Sequence, residues 1–379
     1  MKSGFPCVFL LVTLVVIMQQ TSRSDDLSTK DTGSPAEFTL SPGQWQKVES
    51  SVDRALEFLI HQQAEDGSFR APDIGQPGVT SLCVLAFLSR GIVPDEGPYG
   101  DAMSRAIDFV LSRQRSDGLL FDMPIGGSFR HNTPAHTGIY NHAIAALMLT
   151  EIYGMGAPEQ QERIRVSVIK ARDFTLKFQS HYKRNPEEQG GWRYLKLATQ
   201  QQRSDADLSV TAWQLLFLRS ARNAGFEVPP KAVDAAMEFV EGCYDRDRGT
   251  FAYCIVSGRN ITPAMCGAGV VSLSMGGRHD SELSRRAGQW MLQQQFDRYQ
   301  GFGRYHYGAY YCSQAAFQLG AKYWSEFYPP LMNALVENQN RDGSWDQEQE
   351  DAIYGNAYTT ALSTLALTPP YQLLPIYQR

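Results

Sequence analysis

The sequence predicts an all-α protein whose helices form a closed ring of about six helical hairpins, an α/α toroid. Two observations lead to this fold class. A pattern of helix, glycine–aromatic turn and second helix recurs about six times, and the first and second helices differ consistently in composition. Such repetition is typical of proteins in which each unit packs mainly on its neighbours. Two layers of six helices can close into a ring.

The two helices of each hairpin are predicted to occupy different layers. The first carries charge on one face, as in VDRALEFLIHQQ, which favours a half-solvated outer position, whereas the second has little charge on any face, as in CGAGVVSLSM, which favours a buried inner layer. The predicted outer helices are 49–63, 100–114, 163–180, 229–244, 279–295 and 322–339. The predicted inner helices are 79–91, 138–154, 208–225, 262–276, 307–321 and 355–367.

The loops are asymmetric. Connections from an inner helix to the next outer helix are mostly short, but those from outer to inner helices are long, as at 115–137, 181–207, 245–261 and 340–354. All long loops should therefore lie at one end of the ring, together with the N-termini of the inner helices. Because functional residues concentrate on loops over a rigid scaffold, we expect the mouth of a central cavity at that end.

The turn inside each hairpin has a recurring signature of glutamine, glycine and an aromatic residue, complete in Gln63-x-x-x-Gly67-x-Phe69. The glycine can adopt the left-handed conformation that ends a helix, and the glutamine amide can satisfy backbone groups left unpaired there. The signature is also complete at Gln339, Gly343 and Trp345, lacks the aromatic at Gln114, Gly118 and Leu120, keeps only its second half at Gly190 and Trp192 and at Gly249 and Phe251, and is degenerate at 301–305.

These turns resemble the QW repeats of the squalene/hopene cyclase family and its prenyltransferase-repeat relatives. The resemblance covers nearly all of the chain after residue 45, and the proline-broken C-terminal tail also looks like that of exported bacterial members. It implies the α/α toroid fold. The prolines of the tail disfavour a helix, so we expect the tail to run extended along the ring. The repeat is structural, however, and identifies no chemistry.

The segment from Asp205 to Trp213, DADLSVTAW, is similar to the Asp-x-Asp-Asp-Thr-Ala motif of hopene-type cyclases. In that family the middle aspartic acid protonates an alkene, which requires a carboxylic acid kept neutral by an apolar site. The resemblance therefore implies Asp207, with Asp205 beside it, as the catalytic acid, although Leu208 replaces the last aspartate of the motif. The alternative is that both aspartates cap the helix 208–225, so that Asp207→Asn would lower stability by only ~1 kcal/mol.

Aromatic residues accumulate near the later inner helices, and an aromatic-lined cavity suits a polyisoprenoid or a sugar ring equally well. The ligand-binding candidates are Trp213, His142, Tyr310, Tyr311 and Tyr358.

A carbohydrate-active enzyme is a second possibility, because several polysaccharide lyases and glycosidases also use α/α toroids. A lyase needs a tyrosine or histidine base and side chains that neutralise a uronate carboxylate. The candidates for these roles are His131, His136, Tyr140, Asn141, His142, Arg193 and Tyr194.

The N-terminus predicts export. Lys2, the apolar run 7–18 and the small residues Ser22 and Ser24 are typical of a signal peptide over 1–24. The run is shorter than the ~20 residues of a membrane span, so we expect a periplasmic, envelope or secreted protein without a stable span after cleavage. The polar stretch 25–44 is predicted to be a flexible leader, which leaves 45–379 as the toroid.

The net charge and the absence of one cysteine motif limit the classes of ligand, partner and cofactor that the protein is expected to bind. Without the signal peptide, 33 basic residues face 40 acidic ones, which argues against binding to nucleic acid. The zinc-binding Asp-x-Cys of prenyltransferases is absent, so we expect neither a metal nor a cofactor.

Three hypotheses about function remain. The first is a terpenoid-cyclase-like toroid that binds or transforms an apolar isoprenoid-type ligand. The second is a non-catalytic toroid that binds a ligand or partner in the cell envelope, and the third is a carbohydrate-active toroid.

Overall fold

The computed structural model of the protein describes residues 40–126, 132–195, 204–256 and 260–377. Within these ranges the chain forms twelve α-helices and one two-stranded hairpin, Tyr244–Asp245 with Thr250–Phe251, which confirms the all-α prediction. The helices are α1 Pro42–His61, α2 Gly78–Ser89, α3 Gly100–Ser112, α4 Pro134–Glu151, α5 Pro158–Gln179, α6 Leu208–Asn223, α7 Pro230–Gly242, α8 Pro263–Met275, α9 Glu282–Met291, α10 Tyr305–Leu319, α11 Ala321–Glu337 and α12 Gly355–Leu367.

The even-numbered helices form a closed inner ring, as predicted. Each of them packs against the next even-numbered helix, and α12 packs against α2 to complete the circle. Each odd-numbered helix lies outside and packs on the inner helix that precedes it in the chain, while α1 packs on α12. The loops that lead into the inner helices are the long ones, so these loops and the inner-helix N-termini share one end of the ring.

The ring begins earlier than predicted. Helix α1 starts at Pro42, inside the segment 25–44 that was expected to be a flexible leader. Ser41 and Gln44 form a reciprocal capping box, and the proline occupies the first helical turn, where its missing N–H costs nothing. The predicted signal peptide and most of the predicted leader lie outside the described residues.

Glutamine amides join neighbouring hairpins at the turns. The Gln63 Nε2 group donates to the carbonyl of Gly67 in its own turn at 3.1 Å and to the carbonyl of Ala102 in the next outer helix at 2.7 Å. The Gln339 amide makes the same pair of bonds to Gly343 and to Ser51 of α1, which fastens the last hairpin to the first. Gln114 and Gln179 repeat the arrangement in the second and third hairpins.

Two structural features require glycine in each complete turn. Gly343 has a φ of 92°, a conformation that side chains rarely adopt. A Cβ atom there would also lie 2.1 Å from the carbonyl oxygen of Arg54 in α1. Gly67 has the same conformation and approaches the Arg105 carbonyl of α3 equally closely. These turns therefore set how closely consecutive outer helices pack.

The C-terminal tail, residues 369–377, crosses the end of the ring opposite to the long loops. Tyr371 stacks on Trp45 of α1 with 5.4 Å between ring centroids. Further along, the Ile376 N–H donates to Glu151, the last residue of α4, at 3.2 Å, and Leu374 and Ile376 are buried. The tail was predicted to be extended; it instead contains two 3₁₀ turns, Pro369–Tyr371 and Pro375–Tyr377. It closes this end of the ring.

No helix in the described part of the chain is both long and apolar enough to cross a membrane.

The glutamine bridge at the ring closure can be tested with Gln339→Ala. The substitution removes the contact to the Ser51 carbonyl inside α1 and leaves the turn carbonyl of Gly343 without its donor, and a partly buried acceptor without a partner costs ~1–3 kcal/mol. We expect a loss of that size in urea denaturation. Gln295→Ala, at an exposed position, is the matched control and should change stability by no more than ~0.5 kcal/mol. Equal effects of the two variants would contradict the bridging role.

The contact between the tail and Glu151 predicts a pH effect on stability. Burial raises the pKa of Glu151 from 4.5 to about 7, against the opposing hydrogen bonds from Ser220 and Ile376. Because the folded state holds this proton more tightly than the unfolded state, the free energy of unfolding should be highest below the unfolded pKa and should fall by up to ~3 kcal/mol as the pH rises through the folded one.

Glu151→Gln should reduce this decline, measured by urea denaturation at about pH 5 and about pH 8. Part of the decline should persist, because burial also raises the pKa of Glu348 to about 7. An unchanged pH slope in the variant would show that Glu151 is not the group responsible.

Candidate functional site

A pocket lies inside the ring at the N-terminal ends of the inner helices. Its wall is built by α2, α4, α6, α10 and α12 and by the segments that lead into them. The cavity has a volume of about 80 Å³. Its position is the one that the loop asymmetry predicts.

The pocket descends along the inner helices in steps of four residues, about one helical turn or ~6 Å each. Helix α4 shows this most fully, since His136, Tyr140 and Ile144 all line the pocket. The same spacing occurs in the pairs Gly78 and Leu82, Ser209 and Trp213, and Tyr354 and Tyr358. One face of each of these helices therefore lines the pocket from its mouth inward, parallel to the helix axis.

Polarity changes with depth. We define the mouth as His136, Arg304 and Tyr354, which lie at or just before the first turn of their helices, and the floor as Leu82, Ile144 and Trp213, which lie one or two turns further along. The mouth residues carry charge or hydrogen-bonding groups. The floor is aliphatic and aromatic, and its three side chains are buried. A ligand that fits this gradient enters with its apolar end first.

A chain of hydroxyl groups crosses the wall between mouth and floor. The Tyr140 hydroxyl donates to the Ser209 Oγ at 3.1 Å, and this oxygen lies 2.9 Å from the Tyr307 hydroxyl. The indole N–H of Trp213 donates to the same tyrosine oxygen at 2.9 Å. Burial raises the pKa of Tyr307 to about 12, so its phenol is neutral at physiological pH. The hydrogen bond to Tyr307 fixes the orientation of the Trp213 indole in the floor.

Of the predicted ligand-binding residues, Trp213 and Tyr358 line the pocket. Tyr310 and Tyr311 instead lie behind Trp213. The Tyr310 ring stacks on the indole at 5.2 Å between centroids, and the Tyr311 ring meets it edge-on at 5.5 Å. These two tyrosines therefore support the floor from outside the cavity.

His142 lies outside the pocket, in the core between α4 and α5. Its Nδ1 atom accepts from the backbone N–H of Leu120 at 3.1 Å, and its Nε2 atom lies 2.9 Å from the Thr175 hydroxyl. Burial lowers the pKa of His142 to about 3, so the ring is neutral. In three other hairpins a threonine hydroxyl takes the same role at the turn, namely Thr80 with Phe69, Thr211 with Trp192 and Thr360 with Trp345.

Asp207 is the N-cap of α6 and does not line the pocket. One carboxylate oxygen accepts from the backbone N–H of Val210 at 2.8 Å, and the other pairs with the Arg193 guanidinium at 3.0 Å. The side chain is completely buried, and this burial raises its pKa, while Arg193 and the N–H of Val210 act in the opposite direction. Both oxygens are thus already bound by groups of the protein.

Asp205 anchors a loop. Its carboxylate accepts from the backbone N–H and from two guanidinium nitrogens of Arg184, at 2.9, 2.8 and 2.7 Å. The Arg184 guanidinium, through its hydrogen bond, lowers the pKa of Asp205.

The structure brings only some of the residues proposed for a lyase together at the pocket. His136 and Tyr140 line the pocket, as does Asn141, but the Asn141 amide binds the N–H of Gly78 and the carbonyls of Ile74 and Thr137. The candidates Arg193 and His142 are engaged in the contacts described above, and Tyr194 packs edge-on against His136 at 4.6 Å. His131 lies outside the described residues. No group of three or more potential metal-binding side chains occurs in the part of the chain that the structure describes.

Sequence reasoning missed Arg304 and the aliphatic floor residues Leu82 and Ile144. The spacing of four residues between pocket positions on α2, α4, α6 and α12 is a signal that could have identified the aliphatic pair once the inner helices were known. Arg304 precedes α10 in the degenerate fifth unit, where no turn signature marks the position.

No protein-family profile matches the sequence, and no curated protein matches it. Among solved structures, the fold is similar to that of the type II terpene cyclase MstE from Scytonema. A point variant with the product merosterolic acid A has a TM-score of 0.54 and 13% identity, covering 89% of this chain and 100% of that chain. A second variant, with the substrate geranylgeranyl dihydroxybenzoate, has a TM-score of 0.53 and 12% identity, covering 88% and 99%.

The ligand-free MstE structure gives a TM-score of 0.53 and 14% identity, covering 87% of this chain and 99% of that chain. At this level of identity the likeness concerns the fold alone. It confirms the α/α toroid.

The role of Asp207 can be tested with two variants. Asp207→Asn keeps an efficient N-cap, because asparagine caps helices as well as aspartate does, but it leaves the buried Arg193 charge unpaired. We expect a loss of ~3 kcal/mol in the free energy of unfolding. Adding Arg193→Leu removes the second charge and should recover part of that loss. If the single variant loses no more than ~1 kcal/mol, the cap alone matters and the ion pair contributes little.

Proposed function

We propose that the protein is a binding toroid that takes the apolar, branched end of an isoprenoid-type ligand into the pocket. The observation that carries this proposal is the floor of Leu82, Ile144 and Trp213 below a polar mouth. Burial of aliphatic and aromatic surface supplies roughly 25 cal/mol per Å². The methyl-branched end of an isoprenoid presents the matching surface.

The size of the cavity limits what it encloses. Pockets that bury drug-sized ligands usually measure ~300–1,000 Å³, and this one measures about 80 Å³. The pocket therefore encloses only a short end of a ligand, and a longer chain continues out through the mouth. The closed tail end of the ring supports entry from the mouth side.

The fold likeness is compatible with this ligand class. MstE is a type II terpene cyclase with bound geranylgeranyl dihydroxybenzoate and merosterolic acid A in its structures. For the present protein we propose binding without cyclisation, because both oxygens of Asp207 are held by Val210 and Arg193 rather than directed into the pocket. A type II cyclase acid would have to donate its proton to an alkene inside the cavity.

The sequence alone supports a location of the protein outside the cytoplasm. The features of residues 1–24 support export, so we propose that the ligand is met outside the cytoplasm.

Titration calorimetry with geraniol tests the proposal, using wild-type protein and Ile144→Trp. The larger side chain fills the floor, so we expect wild type to bind and the variant to lose most of its affinity. Val166→Trp, on the exposed face of α5, is the matched control and should bind as wild type does. Thermal unfolding of both variants establishes that they fold. The proposal fails if wild type does not bind, or if Ile144→Trp binds as tightly as Val166→Trp.

A further inference from the structure

Arg304 is the only residue with a permanent charge among the described residues that line the pocket. It directly precedes α10 and adopts a left-handed backbone conformation, with φ 58° and ψ 42°. About half of its side chain, 49%, remains exposed, so the guanidinium stands at the mouth rather than inside the protein. Arg304 thus places a cation at the entrance of a pocket whose floor is apolar.

The counter-ion of Arg304 is bound loosely. The Arg304 Nη1 atom lies 3.5 Å from the Asp351 Oδ1 atom, and neither Asp351 oxygen accepts a hydrogen bond from a described residue. The Asp351 side chain is nevertheless only 3% exposed. The pair Arg184 and Asp205 is a useful contrast, because it is joined by three hydrogen bonds of 2.7 to 2.9 Å. The guanidinium N–H groups of Arg304 are therefore less engaged by a carboxylate than those of Arg184.

Burial raises the pKa of the Asp351 carboxyl group, and Arg304 acts in the opposite direction. Glu350 and the hydroxyls of Tyr354 and Tyr358 also face the pair.

The helix terminus next to Arg304 is already occupied. The Glu348 carboxylate accepts from the backbone N–H groups of Tyr305 and His306 at the start of α10. These N–H groups are therefore not available to an anionic ligand, and the guanidinium itself has to supply the recognition. Guanidinium groups bind carboxylate and phosphate oxygens through paired, charge-assisted hydrogen bonds.

We propose that the ligand carries an acidic head group, a carboxylate or a phosphate monoester, which Arg304 binds at the mouth while the apolar end of the ligand contacts the floor. This inference rests on the proposed function and specifies the ligand class further. On α4 the mouth and the floor are two four-residue steps apart, ~12 Å along the helix. A ten-carbon isoprenoid spans about that distance, which makes geranyl compounds suitable probes.

The test compares geranic acid, geranyl phosphate and geraniol by titration calorimetry on wild type and Arg304→Gln. Wild type should bind at least one acid about tenfold more tightly than the alcohol. Arg304→Gln should abolish that preference, so that neither acid binds this variant more tightly than geraniol does, and Arg304→Lys should retain part of it. The acid with the larger preference identifies the head group as carboxylate or phosphate.

Two further variants separate local recognition from general charge. Arg298→Gln, at an exposed position in the same loop, removes one positive charge and should preserve the preference. Asp351→Asn removes the competing carboxylate and should leave the affinity for the acids equal or higher. Loss of the preference in Arg298→Gln, or weaker acid binding by Asp351→Asn, would overturn the assignment to Arg304.

The failures of the two proposals are distinguishable. If all three compounds bind wild type with equal affinity, or if the acid preference survives Arg304→Gln, the head-group inference is wrong and the apolar pocket stands. If none of the three compounds binds, the proposed function is wrong and the head-group inference falls with it.

Discussion

The glutamine amide at the turn is the interaction on which the ring depends. One side chain binds the carbonyl of its own glycine turn and a carbonyl of the next outer helix, so it fixes the turn and the spacing between hairpins together. Gln339 does the same between the last hairpin and α1. The contact that closes the ring is therefore the same one that joins consecutive hairpins. The carbonyl in the next outer helix lies inside that helix, so the amide adds a second hydrogen bond to it, whereas the carbonyl of the turn glycine loses its donor when the amide is removed. The inner helices, and with them the pocket wall, take their positions from this outer framework.

A second repeated contact connects the turns to the inner ring and explains why a conspicuous histidine has a structural role. The backbone N–H at the aromatic position of the turn is bound by a side chain of the following inner helix, a threonine in three hairpins and His142 in a fourth. His142 occurs where the turn has Leu120 in place of an aromatic residue, and the larger imidazole also reaches Thr175 of the outer helix. Its neutral, fully buried state follows from this position in the core.

The sequence predicts the fold well because the same helix–turn–helix pattern recurs about six times, and each copy indicates the same structural unit. All twelve helices occur near their predicted positions, although α1 begins earlier than expected. Gln179 escaped notice because ten residues separate it from Gly190, so the spacing of the signature is lost while its hydrogen bonds are kept. The site was less accessible to prediction. Trp213 and Tyr358 were found as aromatics on inner helices, but the place of Arg304 depends on ring closure, which brings α10 and α12 opposite α4, and no local pattern encodes that proximity.

The position of Asp207 shows how one architecture can support different roles at the same place. The start of an inner helix offers unpaired N–H groups near the mouth of the ring, and an aspartate there can either cap the helix or face the cavity as an acid. Here the contacts correspond to the capping role, because the Val210 N–H and the Arg193 guanidinium hold the two carboxylate oxygens and the side chain does not line the pocket. Charge at the mouth is distributed unevenly as a result. Asp207 is fully buried and closely paired with Arg193, whereas Arg304 and Asp351 remain loosely joined beside the pocket, so the region able to respond to a ligand lies on the α10 and α12 side of the ring.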